Sequence, residues 1–95
     1  MDNSLFDWDY ANITHIAEHQ VAPEEAEQAI LGDPLDVGFD LVDGEERWSY
    51  LGETEEGRIL RVVITMRREL IRVVTAFEAS RYQKTAYLEW KAGLQ

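Results

Sequence analysis

Arginine has the clearest chemical potential in this chain, and its distribution is uneven. No lysine or arginine precedes Arg47, whereas residues 1–46 carry thirteen Asp and Glu. Residues 47–95 carry all nine Lys and Arg against six acids, in a chain of net charge −10. Guanidinium groups bind phosphate and carboxylate oxygens through paired hydrogen bonds. This distribution therefore predicts an anion-facing surface in the second half of the chain. The ligand of that surface is either a phosphate or the carboxylates of a partner protein.

The strands predicted in this half decide where the arginines point. Three segments are rich in β-branched and aromatic residues and are predicted strands: 46–51, 58–66 and 70–77. If the loop between the second and third of these strands has two or four residues, the residue numbers of each facing pair add up to 137. This register predicts the pairs Ile64 with Val73, Val62 with Thr75, and Thr65 with Arg72.

The predicted hairpin then has one apolar face and one mixed face. The apolar face, expected in the core, comprises Leu60, Val62, Ile64, Met66, Ile71, Val73, Thr75 and Phe77. The mixed face comprises Arg61, Val63, Thr65, Arg67, Leu70, Arg72, Val74 and Ala76. A loop of three or five residues would instead bury unpaired arginines, which is costly.

The preceding hairpin is expected to add Arg47 to the mixed face. This arrangement pairs Trp48 with Val62 and Tyr50 with Leu60 across a five-residue loop at 53–57. Four arginines on one face have two interpretations. Either they form a solvated face paired with acids of the first half, or they bind phosphate or another oxyanion. On the last helix, Arg81 and Lys84 either extend this basic surface or are simply solvated.

His15 and His19 stand four residues apart and share one face of a predicted helix. They could chelate a metal if Asp9 or Glu18 supplied a third ligand. Without a clear third ligand, we expect them to cap or pack against a neighbouring element, and no metal site is predicted.

The remaining elements follow from caps and periodicity. Residues 5–8 alternate as in a short strand, and Asp9 is placed to cap a helix over about 10–19. Pro23 predicts the start of a second helix that ends at Gly32-Asp33-Pro34. Residues 35–44 fit either an edge strand or a packed loop, with a turn at Asp43-Gly44. A last helix is expected from about Glu78 to Lys91, with its stripe at Ala79, Tyr82, Ala86 and Trp90.

Size and composition limit the functional classes. Residues 1–95 are expected to form one domain. The absence of cysteine excludes disulfides and thiolate metal sites and fits a reducing cytosol. Residues 1–4 lack signal-peptide character and no apolar run could span a bilayer, so we expect a cytoplasmic protein without membrane contact. The net charge argues against non-specific nucleic-acid binding, although the segregated arginines weaken that objection.

An ordered set of motifs resembles the BrnT-type toxins of type II toxin–antitoxin modules. Its opening reads Phe6-x-Trp8-Asp9-x-x-Asn12-x-x-His15-Ile16-x-x-His19-x-Val21-x-Pro23-Glu24-Glu25. Its later parts are Asp33-Pro34, Gly44-Glu45-Glu46-Arg47, Leu51-Gly52, Gly57-Arg58-Ile59-Leu60, Val62-Val63 and Ile71-Arg72-Val73-Val74-Thr75-Ala76. The set spans nearly the whole chain. Many members carry an arginine where this chain has Phe77.

The resemblance implies a RelE/ParE-like α+β fold, in which a small antiparallel sheet of three to four strands packs with two N-terminal helices and one C-terminal helix. It also implies a ribonuclease that halts translation and is neutralised by a cognate antitoxin. The residues nearest the functional surface would be Arg47, Arg67, Arg72 and Arg81.

For RNA cleavage without a metal or other cofactor, Arg47, Arg67 and Arg72 would stabilise the charged transition state. Glu46 or a histidine would be the base, and Arg61, Arg81 and Lys84 would bind RNA or a partner. The alternative is a non-catalytic module on the same fold, whose arginines dock an acidic protein or form a homodimer.

Overall fold

The computed structural model describes residues 5–93 and contains three helices and four strands. In chain order they are α1 (Tyr10–Ala17), α2 (Pro23–Leu31), β1 (Leu35–Val42), β2 (Glu45–Glu53), β3 (Ile59–Arg67), β4 (Leu70–Glu78) and α3 (Arg81–Lys91). The strands form one antiparallel sheet in the order β1-β2-β3-β4. This confirms the predicted α+β class and settles residues 35–44 as an edge strand followed by a turn.

The helices begin where the capping residues indicate. Asp9 Oδ1 accepts from the amide of Asn12, whose own side chain accepts from the Asp9 amide. Pro23 occupies the first turn of α2, as predicted. α3 begins at Arg81, three residues later than expected, because Ser80 is its cap and Glu78 still pairs with Leu60 in the sheet.

The predicted N-terminal strand is reduced to a single bridge. Phe6 pairs in parallel with Ile71, and the Asp7 amide donates to the Ile71 carbonyl over 2.8 Å. Residues 1–4, which bore on the signal-peptide question, lie outside the described part of the chain. The bridge nevertheless fixes Asp7 and Asp9 against the outer edge of β4.

The β3–β4 register is correct at the turn and wrong beyond it. Ile64 faces Val73 and Thr65 faces Arg72, across a two-residue loop. Val74 then forms a bulge, so Val62 faces Ala76 and not Thr75. The bulge reverses the faces of the remaining residues: Ala76 is buried in the core, whereas Thr75 and Phe77 join the arginines. Met66, also predicted in the core, is 49% exposed.

The β2–β3 register differs from the prediction by two residues. Trp48 faces Ile64 and Tyr50 faces Val62, so the loop comprises residues 54–58. A shift of two leaves every side chain on its predicted face, because strand side chains alternate with a period of two. Arg47 therefore still lies on the same face as Arg61.

Helices cover parts of both faces of the sheet. We call the face that carries Arg47, Arg61, Arg67 and Arg72 the arginine face, and the opposite one the helix face. On the helix face, buried residues of α1 and α2 pack on Leu60, Val62, Ile64, Val73 and Ala76. Gly52 permits the contact with α2, because a Cβ there would lie 2.2 Å from the Ala29 carbonyl oxygen.

α3 covers one end of the arginine face, where Leu51, Ile59, Ala79 and Tyr87 form a second buried cluster with Trp90 at its edge. The predicted stripe of α3 was partly wrong, because Tyr82 is 83% exposed and Tyr87 is the buried residue. In the described part of the chain, no helix covers the other end of the arginine face.

Candidate active site

A cleft of about 260 Å³ lies at the open end of the arginine face. β2, β3 and β4 supply its floor, and the first two turns of α1 form one wall. Its lining consists of Ala11, Asn12, His15, Glu45, Arg47, Thr65, Arg72, Val73 and Val74. The strand register explains this set, since Thr65 pairs with Arg72, and Trp48, the neighbour of Arg47, pairs with Ile64.

Arg72 is paired with Asp9, the residue that caps α1. Its Nη2 donates to Asp9 Oδ1 over 3.2 Å, and its Nη1 lies 3.1 Å from Asp9 Oδ2. The second contact is an ion pair out of hydrogen-bond alignment, since Nη1 has no hydrogen-bond partner among the described residues. The Arg72 side chain is only 14% exposed. The guanidinium of Arg72, followed by the Asn12 amide, holds the pKa of Asp9 below its ordinary value.

The other arginines differ in how far their charge is already matched. Arg67 Nε donates to Asp7 Oδ2 over 2.9 Å, and Arg47 Nε donates to Glu45 Oε1 over 2.8 Å. Arg61 makes a long contact of 3.4 Å with the Ser49 hydroxyl. The sequence allowed the interpretation that the arginines pair with acids of the first half. This describes Arg67 and Arg72 well, but it describes Arg61 poorly.

His15 lies at the rim of the cleft and contacts the sheet. Its Nε2 is 3.1 Å from Thr75 Oγ1, a contact that exists because the Val74 bulge turns Thr75 toward this face. His19 packs edge-on against His15 and against Phe77, with ring centroids 5.4 and 5.8 Å apart. The two histidines thus pack against neighbours. Within residues 5–93, no cluster of three or more His, Cys, Asp or Glu is arranged to hold a metal.

Glu46 is not in the cleft. Neighbouring residues of a strand point to opposite faces, so Glu46 lies on the helix face while Arg47 lies on the arginine face. Its carbonyl accepts from the Thr65 hydroxyl over 2.7 Å, but its side chain borders a different groove. Glu45 is the acid that lines the cleft, and sequence reasoning missed it. The alternation that placed Arg47 could have indicated Glu45.

The predicted binding residues are dispersed. Arg61 shares the arginine face but does not line the cleft, and Arg67 lies at the turn end of that face beside Asp7. Arg81 is exposed in the first turn of α3, and Lys84 forms an ion pair with Glu78. Of the predicted arginines, the described structure brings Arg47 and Arg72 together in the cleft. His15 joins them through the packing of α1 on β4, which sequence spacing alone could not show.

Comparison with known protein families identifies the chain. A sequence model described as "Ribonuclease toxin, BrnT, of type II toxin-antitoxin system" matches residues 8–83. No curated protein matches the chain. In the described part of the chain, none of the helices has the length and apolar character needed to cross a membrane. The matched segment includes every residue that lines the cleft and supports the ribonuclease interpretation over the non-catalytic module. The chain belongs to the BrnT family of ribonuclease toxins of type II toxin–antitoxin systems.

Proposed function

We propose that the cleft is the site at which this toxin cleaves RNA, on a variant of the RelE/ParE-like fold. The observation that carries the proposal is the convergence of His15, Arg47 and Arg72 on one open cleft. An imidazole exchanges protons near neutral pH, and two guanidinium groups offer positive charge to a phosphate. These are the groups that metal-independent phosphodiester cleavage requires.

The chemistry assigns a role to each of the three side chains. The ribose 2′-hydroxyl attacks the adjacent phosphorus, the bond to the 5′-oxygen breaks as that oxygen takes a proton from water, and a 2′,3′-cyclic phosphate and a 5′-hydroxyl form. His15 would accept the proton of the 2′-hydroxyl, because its exposed ring lies at the cleft rim. Arg47 and Arg72 would stabilise the charge that builds on the phosphoryl oxygens.

The two arginines would act differently because their surroundings differ. Arg72 is fixed by Asp9, so it supplies positive charge in a constant position without reorganising during the reaction. Arg47 has a side chain 31% exposed and one carboxylate partner, Glu45. A substrate phosphate could therefore take over part of the contact that Glu45 makes, and the freed Glu45 carboxylate could share the proton transfers.

A type II family implies a cognate antitoxin partner. We propose that the antitoxin neutralises the toxin in the cytoplasm and that the free toxin halts translation. The arginines would allow an acidic protein to engage RNA: the acids are concentrated in the first half of the chain and, apart from Glu45, the cleft floor is contributed by the second. Binding of RNA to this face should weaken steeply as salt rises.

The test compares two histidines of the same helix. On induced expression, we expect wild type to arrest growth and His15→Gln or Arg47→Ala to relieve the arrest. His19→Gln is the matched control, because His19 does not line the cleft. With purified proteins, His15→Gln should slow RNA cleavage by about 100-fold, the usual contribution of a positioned base, and the products should end in cyclic phosphate. Equal activity of the two histidine variants, or no cleavage by wild type, would refute the proposal.

A further inference from the structure

Among residues 5–93, helices cover the helix face at one end only. α2 packs against the end that contains Gly52, whereas Phe39, Leu41 and Met66 at the other end are 54%, 58% and 49% exposed. The ring of Phe39 packs on half-buried Trp48, with centroids 5.6 Å apart. These four residues are called the apolar patch. Contiguous exposed apolar side chains on a soluble protein commonly mark an interaction site.

Acidic residues are concentrated in the strand and turn that carry Phe39 and Leu41. Residues 35–46 contain five acids and no Lys or Arg: Asp36, Asp40, Asp43, Glu45 and Glu46. A groove of about 500 Å³ runs past Leu41, Trp48 and Met66, with Glu45 and Glu46 in its lining. The cation of this groove, Arg67, already contacts Asp7 and Asp9. A partner that fits the groove must combine apolar side chains with positive charge.

The edge of β1 is poorly suited to accept another strand. The amide of Gly38 donates to Asp36 Oδ1 over 3.1 Å, and the amide of Leu41 donates to Asp40 Oδ1 over 2.9 Å. Val37 is an unpaired bulge residue opposite β2. Bulges and charged side chains at an edge both discourage strand addition. A partner is therefore expected on the sheet face, where an amphipathic helix fits a groove.

A second copy of this chain is a poor occupant of the apolar patch. Each copy carries a net charge of −10, and a symmetric interface would bring two acidic rims together. Like charges placed against each other oppose association. Charge complementarity favours a basic partner.

We propose that the apolar patch binds an amphipathic helix of the cognate antitoxin, with an apolar stripe between Lys and Arg residues. The identity of the partner rests on the proposed function, whereas its chemistry rests on the patch itself. The groove and the cleft share Glu45 and Thr65 in their linings. A helix in the groove therefore reaches the rim of the cleft and can hinder the approach of RNA.

The experiment measures binding of the purified protein encoded by the neighbouring gene, by calorimetry. Leu41→Ser removes an apolar side chain that is 58% exposed, and Leu88→Ser on α3 is the matched control at 52%. We expect Leu41→Ser to weaken binding about tenfold or more and Leu88→Ser to change it less than about twofold. Glu46→Lys should slow association, whereas Glu55→Lys, at a different surface, should not.

Two results would overturn the assignment: equal binding by the Leu41 and Leu88 variants, or no binding by wild type. A wild-type dimer in solution that Leu41→Ser dissociates would identify a second copy as the occupant, which also contradicts it. Growth arrest by Leu41→Ser without the antitoxin is measured in parallel. Patch-dependent binding without RNA cleavage would refute the proposed function alone, and RNA cleavage without patch-dependent binding would refute the docking site alone.

Discussion

The N-termini of α1 and α2 are anchored in the same way, by a carboxylate, but in different surroundings. At α1, the capping residue Asp9 binds Arg72 of β4. At α2, Glu25 accepts from the Ala22 amide and binds Arg58 through both carboxylate oxygens. Each carboxylate therefore joins a helix start to an arginine of the second half of the chain. The first pair borders the cleft, whereas Arg58 lies outside it and contacts Glu78.

The same kind of carboxylate–guanidinium pair therefore has different roles at the starts of α1 and α2. A carboxylate that satisfies a helix terminus and a guanidinium stabilises the fold wherever it occurs. At α1 the same contact also sets the position of a cation beside the proposed reaction site. Variants at the two sites should consequently affect different measurements, and the following predictions test that separation.

The largest difference is expected for the arginines. Arg72→Met should reduce RNA cleavage by about 100-fold or more, because it removes a fixed charge at the proposed phosphate site. Arg58→Met should retain cleavage by the folded protein and lower its melting temperature instead. The comparison requires cleavage rates per folded molecule and thermal unfolding of both variants. Similar cleavage by the two would show that Arg72 has only a structural role.

A smaller effect is expected for Asp9→Asn, which keeps the helix cap while removing the charge that holds Arg72. Asn caps helices as well as Asp does, so the melting temperature should change little. Cleavage should fall about tenfold, because Arg72 loses its positioning partner and misplacement of a catalytic group is costly. Asp9→Ala, which removes cap and charge together, is the control for stability. Full activity of Asp9→Asn would contradict the positioning role.

The smallest effect is expected for the pH dependence of the stability that Glu25 contributes at the start of α2. Hydrogen bonding to the Ala22 amide and then to Arg58 holds the pKa of Glu25 below its ordinary value of 4.5, against an opposing contribution from burial. Glu25 therefore contributes stability above about pH 4.5, and that contribution is lost as pH falls through its folded pKa. Glu25→Gln should cost about 1 kcal/mol at pH 7 and progressively less under acid.

Urea unfolding of wild type and Glu25→Gln between pH 3 and pH 7 measures this difference. Glu24→Gln, at an exposed neighbouring position, is the matched control and should show little effect at any pH. A constant difference between wild type and Glu25→Gln across that range would rule out the assigned linkage.

The sequence predicted those features that depend on alternation and local caps. The face of Arg47 was correct even though the pairing of Trp48 was displaced, because a displacement of two preserves the face. The cap at Asp9 was likewise correct, since it requires only local residues. Its ion pair with Arg72 depends on α1 packing on β4, a contact between distant parts of the chain that no local pattern encodes.

The features that the sequence predicted wrongly or missed have two physical origins. The bulge at Val74 leaves no signal, because every residue from Val73 to Ala76 is compatible with an uninterrupted strand. Glu46 was selected for its chemistry, although alternation placed it on the face opposite Arg47. His15 was recognised as a candidate ligand or packing residue, but its place at the cleft rim depends on Thr75, which the bulge turned over.

The bulge also determines how substitutions near the end of β4 should be interpreted. Beyond Val74, Ala76 packs in the core and Thr75 and Phe77 lie on the arginine face, the reverse of the alternation in the first part of the strand. Residue 77 therefore belongs to the arginine face, which we propose meets RNA. An arginine there would stand across from Arg61. Phe77 meets His19 instead, so a substitution at this position would alter the arginine face and leave the hydrophobic core intact.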